Sequence, residues 1–180
     1  NMLKKLVKGK VAVFIDAANI FYSQRTLGWR IDFSKLVAYL KQEVNLEGIY
    51  YYTGKVGALE KQMSFIQKLQ SLGYKVTTKE VKFIKASGLP AIPKGNLDVE
   101  LALDAFRFRN TFDTFVLFSG DSDFAYLLDL LKSDGKSVIV VSMRGHIAKE
   151  LIERAKYVSL PKLRHVIEKI KEPDEPALEV

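Results

Sequence analysis

Three observations predict an α/β protein built on a mainly parallel sheet. Short apolar runs of strand length alternate with longer runs at helical spacing. The first short run, Val11–Ile15, is apolar at every position, as in a strand covered on both faces. Hydrophobic residues make up 48% of the 180 positions, enough to build a core without disulfides or metal staples. That length corresponds to about one domain of the usual ~150 residues.

The elements follow in order. After Val11–Ile15, the segment Phe33–Val44 carries Leu36, Val37 and Leu40 at helical spacing, with Asp32 or Ser34 to cap it. Gly48–Thr53 is β-branched and aromatic, hence a strand. Ala58–Leu72 sets Leu59, Met63, Ile66 and Leu69 on one helical face, and Gly73 ends it. Tyr74–Thr78 is a third strand. Within Glu80–Asn96, Val81 and Phe83 extend a strand before Gly88, Pro90, Pro93 and Gly95 mark an irregular loop. Leu97–Phe108 returns to helical spacing. Thr114–Ser119 is a strand, Ser122–Leu131 a helix, Ser137–Ser142 a strand and Ile147–Ala155 a helix. A short extended piece at Tyr157–Leu160 and a helix after Pro161 complete the body. Strands alternating with helices imply right-handed crossovers. Sheets of this kind place ligands beyond the carboxyl ends of their strands, where strand order reverses. Residues 1–170 are expected to form one domain, and 171–180 a solvated, disordered acidic tail.

Composition removes several functional classes. There is no cysteine, so disulfides, thiolate nucleophiles, iron–sulfur clusters and cysteine zinc sites are excluded, in keeping with a reducing cytoplasm. No apolar run approaches the roughly 18 residues of a transmembrane helix, so no membrane partner is expected. There is no G-x-G-x-x-G and no G-x-x-x-x-G-K-[ST], which argues against dinucleotide and P-loop chemistry. The charge is +7, with 28 basic against 21 acidic residues. The last ten residues hold one base and four acids, leaving the body with 27 against 17, or +10. Lys75, Lys79, Lys82, Lys85 and Lys94 face only Glu80 within their stretch. Such a body suits a polyanion, most often nucleic acid, or a basic solubility surface.

Two apolar strands run into acids. Val11–Ile15 leads to Asp16, and Thr114–Phe118 leads to Ser119-Gly120-Asp121-Ser122-Asp123. In parallel central strands these acids emerge at one edge of the sheet. One helix cap accounts for Asp121 or Asp123, but not for both. On a helical projection of Leu97–Phe108, Leu101, Ala102 and Ala105 lie within about 60° of Asp98, with Val99 flanking that sector and Glu100 nearly opposite. Asp98 is therefore expected on the buried face, where a lone carboxylate requires a proton, a cation or a partner such as Lys94 or the helix N-terminus. Asp104 stands at the edge of that face. Carboxylates converging on one spot repel one another, and hard divalent cations, chiefly Mg²⁺ or Mn²⁺, relieve that repulsion. An acidic centre inside a basic body suits a nuclease, because lysines gather the polyanion and a metal carries the phosphate over the carboxylates.

The blocks FIDAANI (Phe14–Ile20), KGNLDVELALDA (Lys94–Ala105) and SGDSDF (Ser119–Phe124) resemble the signature blocks of the NYN domain, in particular its LabA-like branch, within the PIN-like nuclease superfamily. The likeness spans roughly Val11 to Ser159. It implies a three-layer α/β/α sandwich, PIN-like and Rossmann-like, with Mg²⁺- or Mn²⁺-dependent ribonuclease chemistry. It further implies that Asp16, Asp98, Asp121 and Asp123 form the catalytic metal cluster, that Asn19 orients the cluster or a bound phosphate, and that Lys94 and Ser119 line the same cleft. The expected products carry 5′-phosphate and 3′-hydroxyl ends. Single-stranded RNA is the expected substrate, with a homodimer and a protein partner supplying specificity as further expectations.

Arg25, Lys82, Lys85 and Arg144 are the remaining phosphate-contact candidates. Phe21, Tyr22 and Trp29, following the first acid in a loop or helix start, are base-stacking candidates, whereas Tyr50, Tyr51 and Tyr52 belong in a strand and so in the core. His146 and His165 are expected at the surface or at helix ends, and without a histidine base Ser119 and Ser122 are not triad nucleophiles. One rival reading is a catalytically quiet module that binds RNA or protein through the same cleft. Another, a small-molecule phosphohydrolase, needs a second acid two residues after the nucleophilic Asp, and that position is Ala18.

Overall fold

A computed structural model describes residues 2–84 and 92–170 of the chain. Six strands form one parallel sheet: β1 (Lys10–Asp16), β2 (Asn45–Lys55), β3 (Lys75–Glu80), β6 (Thr114–Phe118), β7 (Ser137–Ser142) and β8 (Lys156–Ser159), in spatial order β3-β2-β1-β6-β7-β8. A separate antiparallel ribbon pairs β4 (Lys82–Ile84) with β5 (Ile92–Lys94). The α-helices are α1 (Ala17–Leu27), α2 (Phe33–Glu43), α3 (Glu60–Ser71), α4 (Asp98–Arg107), α5 (Ala125–Ser133), α6 (Lys149–Arg154) and α7 (Arg164–Ile167).

Alternation along the strands sorts these helices into two layers. In β1, Val11, Val13 and Ile15 face a core shared with Ile20 of α1, Leu36 and Leu40 of α2 and Leu69 of α3. Ala12 and Phe14 face the opposite core, made with Leu101 and Ala105 of α4 and Leu127, Leu128 and Leu131 of α5. Both faces of the sheet are covered, which is why β1 and β6 read as unbroken apolar runs. The three-layer α/β/α sandwich follows directly. Phe14 anchors the second core, stacked on Tyr50 with ring centroids 4.4 Å apart and tilted against Phe115 at 5.0 Å. Truncating such a buried aromatic costs about 3–5 kcal/mol.

The chain turns one way from β1 through β2 to β3 and the other way from β6 through β7 to β8. The reversal lies between β1 and β6, whose Ile15 and Phe118 are register partners. Their carboxyl ends open onto the crevice in which doubly wound sheets bind ligands.

Several expectations are corrected. The segment after Asp16 is a full helix, α1, with the Asp16 side chain accepting from the Asn19 N–H as its N-cap. Its buried positions are Ala17, Ile20 and Ser23, a spacing too weakly apolar to announce a helix, while Phe21 and Tyr22 point outward at 43% and 58% exposure. Trp29 is buried in the α1–α2 core and offers no stacking face. The predicted apolar face of α3 is buried only at Leu69, because α3 packs beside the edge strand β3, where little sheet remains to cover Leu59 and Met63. Val99 and Leu103 of α4 are likewise exposed. The helix after β6 begins as a 3₁₀ turn, Ser122–Phe124, before α5. The expected acidic tail, 171–180, lies outside the described residues. Tyr50, Tyr51 and Tyr52 are buried, as expected.

Candidate metal centre

The strand parity that turns Ala12 and Phe14 toward the α4 layer also carries Asp16, at the end of β1, to that side. Across the crevice, β6 ends at Phe118 and the chain continues through Ser119-Gly120-Asp121. Ser119 is fully buried. Its hydroxyl donates to Asp16 Oδ2 at 2.8 Å and accepts from the Asp121 N–H at 3.2 Å. Asn19 adds a second tie: its Oδ1 accepts from the Gly120 N–H at 3.0 Å, while its own N–H donates to Asp16 Oδ1 at 3.2 Å. The first and third signature blocks are thereby locked together through the crevice.

Asp121 N-caps the 3₁₀ turn by accepting from the Asp123 N–H at 3.0 Å. Asp123 needs no capping role and stands exposed in the first turn. The second block delivers Asp98 as the first residue of α4, with Leu101 and Ala105 holding that helix on the sheet. One carboxylate oxygen from each of Asp98, Asp121 and Asp123 lies within 4.8 Å of the others. Asp16 stands beside this trio, with one oxygen toward Ser119 and the other toward Asn19.

The electrostatics match the geometry. Burial pushes the Asp98 carboxyl up to about 6, and Asp16, Asp121 and Asp123 push it the same way against a 2.6 Å hydrogen bond from the Asn96 side-chain amide. Asp98 is half-buried rather than buried, and its partner is Asn96. Burial raises Asp16 too, opposed by the Ser119 and Asn19 hydrogen bonds and reinforced by Asp121. Asp98 and Asp16, each held protonated more tightly by burial and by neighbouring carboxylates, mark a place short of a cation. An all-oxygen carboxylate set is the donor chemistry of Mg²⁺ or Mn²⁺.

Asp104 belongs elsewhere: its carboxylate accepts from the Tyr52 hydroxyl at 2.9 Å. Glu100 pairs with Lys79 at 2.7 Å. Lys82 is exposed on β4, opposite Lys94 of β5, and the ribbon leads through Gly95–Leu97 into the Asp98 end of α4. Lys85 lies outside the described residues, as does the side chain of Lys94. Arg144 is exposed in the turn just past β7, at the sheet edge that carries the acids. Arg25 lies over the Phe21 ring at 5.9 Å, on α1.

Sequence reasoning missed the segment that follows β7. Ala148 N–H donates to the Gly120 carbonyl at 2.9 Å, and a Cβ on Gly120 would overlap the His146 carbonyl oxygen. The glycine of the SGD block is required by this close approach. The His146 ring lies 2.9 Å from the Thr26 hydroxyl of α1. The glycine itself was the only signal available.

Residues 10–161 match the NYN domain. The chain is 36% identical over 170 residues to the low amplitude and bright protein LabA of Synechococcus elongatus, covering 92% of this chain and 91% of that protein. A crystal structure of a protein of unknown function from Vibrio parahaemolyticus superposes with a TM-score of 0.72 at 26% identity, covering 85% of this chain and 93% of that one.

Proposed function

This chain belongs to the NYN-domain family, and from that premise we propose that it is a divalent-metal-dependent ribonuclease, hydrolysing RNA phosphodiester bonds at the carboxyl edge of its sheet. The observation that carries the reading is the meeting of Asp98, Asp121 and Asp123 from two distant blocks, with Asp16 tied in beside them.

Asp98, Asp121 and Asp123 would hold Mg²⁺ or Mn²⁺, with Asp16 completing the acidic surround. When bound, such an ion polarises a phosphoryl oxygen, lowers the pKa of an attacking water and stabilises the leaving oxygen. The remaining work falls to the chain's own side chains. Ser119 and Asn19 hold Asp16 and the Gly120–Asp121 backbone in fixed relation, so the carboxylates need little reorganisation on binding. Asn96 fixes the Asp98 carboxylate. Lys82, Lys85, Lys94, Arg25 and Arg144 supply phosphate contacts that draw a polyanion toward an otherwise repulsive acidic crevice. The formal charge of +7 supports that role. No helix among the described residues is long and apolar enough to cross a membrane.

Incubating purified protein with end-labelled single-stranded RNA and Mn²⁺ tests the proposal. The wild type is expected to cut, leaving 5′-phosphate and 3′-hydroxyl ends, and chelation or Asp121→Asn is expected to stop cutting. Equal cleavage by wild type and variant would assign the activity to a contaminant. RNA binding with no cleavage would make the protein a binding module.

A further inference from the structure

The acid trio has an apolar border. Carboxylate oxygens of Asp98 and Asp123 come within 4.8 Å of each other from separate helical segments, and exposed apolar side chains follow each of them. Val99 directly succeeds Asp98, and Leu103 stands one turn further along the same outward face of α4. On the other side, Tyr126 lies three residues beyond Asp123, where the 3₁₀ turn runs into α5. Positions three apart on such a turn share a face, with about 5–6 Å between their Cβ atoms. α4 packs against both the 3₁₀ turn and α5, so the two sides belong to one surface. Val99, Leu103 and Tyr126 are 66%, 64% and 76% exposed, the highest values among the described large hydrophobic residues apart from Ile170. Among the described residues, none hydrogen-bonds to the Tyr126 hydroxyl or stacks on its ring, so the ring is open to a ligand. Apolar exposure clustered in this way marks a binding surface.

The neighbouring charge selects the occupant. Carboxylates edge this border, so an anionic ligand gains nothing there by ion pairing. It must be held by an apolar part, while a cation joins its phosphate to the acids. A nucleotide has this division: a phosphate for the metal and a flat base for the ring. We propose that Tyr126, with Val99 and Leu103 beside it, is the platform on which the base next to the metal-bound phosphate stacks. The inference rests on the RNA reading above and adds what holds the base. Such stacking tolerates any base, because every base has a π-face. The platform therefore positions the strand without choosing its sequence.

Titration of the ¹⁵N-labelled protein in Mg²⁺ with AMP, UMP and ribose 5-phosphate, followed by NMR, separates base from phosphate. AMP and UMP should shift the amides of Val99, Leu103 and Tyr126. They should bind about fivefold or more tightly than ribose 5-phosphate, the contribution of one stacked base. Tyr126→Ala should reduce both nucleotides to the affinity of ribose 5-phosphate. Tyr126→Phe, which keeps the ring, should bind as wild type does. Met63→Ala, exposed on α3 on the opposite side of the sheet, should also bind as wild type does, and melting curves establish that the variants fold. Absence of any base-dependent binding, or wild-type nucleotide binding by folded Tyr126→Ala, would overturn the platform even if RNA is cut. A wild-type dimer that Tyr126→Ala separates, with AMP affinity unchanged, would likewise overturn it and make this face an interface between copies. Base-dependent binding that Tyr126→Ala abolishes, without RNA cleavage by the wild type, would uphold the platform and defeat the hydrolase reading.

Discussion

Ser119 donates its hydroxyl hydrogen to Asp16 at 2.8 Å across 103 positions of sequence, and the same oxygen accepts the Asp121 N–H. A single buried side chain thus sets the spacing of two acids from neighbouring strands.

Ser119→Ala should therefore leave the fold intact while loosening the centre. Losing a hydrogen bond to a buried carboxylate costs about 1–3 kcal/mol of stability. Mn²⁺ affinity should fall roughly 10–100-fold, as for other groups that orient metal ligands. Calorimetric titration with Mn²⁺ reads the second effect, and unchanged affinity would show that Ser119 merely fills space.

Asp98 gives a pH signature with a definite sign. Its carboxyl rises from 3.8 to about 6 in the folded, metal-free protein, through burial first and the neighbouring acids second. The native state then holds this proton more tightly than the unfolded chain. Metal-free stability should fall as pH rises through that interval, by on the order of 1 kcal/mol once solvent screening is discounted. Mn²⁺ affinity should move oppositely, weakening as pH drops below about 6, because a protonated carboxyl is a poor ligand. Asp98→Asn should flatten the stability profile. Melting curves across pH 4–8 provide the check.

Gly120→Ala should disturb both the site and the segment after β7, since the new methyl would overlap the His146 carbonyl. Overpacking of this kind costs about 1–3 kcal/mol. Metal affinity should fall with it, because Gly120 also donates its N–H to Asn19. A variant with wild-type stability and metal affinity would refute the close approach.

Tyr52→Phe separates Asp104 from the metal centre. It removes the 2.9 Å hydrogen bond to Asp104 and should cost about 0.5–1.5 kcal/mol of stability. Mn²⁺ binding should be unaffected. A drop in metal affinity would place Asp104 within the reach of the site.

Much of this architecture is legible without coordinates. The strands covered on both faces are apolar throughout, so β1, β6 and β7 appear within a residue or so of their true limits. The acids at strand ends could be placed by parallel topology alone. What stays hidden is relational. α1 buries Ala17, Ile20 and Ser23 and exposes Phe21 and Tyr22, so its hydrophobic pattern contradicts its fold. Its exposed Phe21 lines a surface cavity instead of a core. The α3 stripe is amphipathic in sequence yet largely uncovered, because its burial depends on how many strands lie beside it. Asp98 looked buried from its helical face, but it begins α4 and so sits at the rim of the crevice. Asn96 as its partner, and Ser119 as the tie between acids, depend on side-chain geometry that spacing does not encode.

The central claim is that Asp98, Asp121 and Asp123 act together as one cation site. Mn²⁺ titration of the wild type beside Asp98→Asn and Asp121→Asn tests it most directly, with thermal melting as the readout. At Mn²⁺ about 100-fold above its dissociation constant, binding adds about 2.7 kcal/mol and should raise the wild-type Tm by roughly 5–10 °C. Both variants should lose that increment. A wild type unmoved by Mn²⁺, or variants that gain as much as the wild type does, would contradict the account.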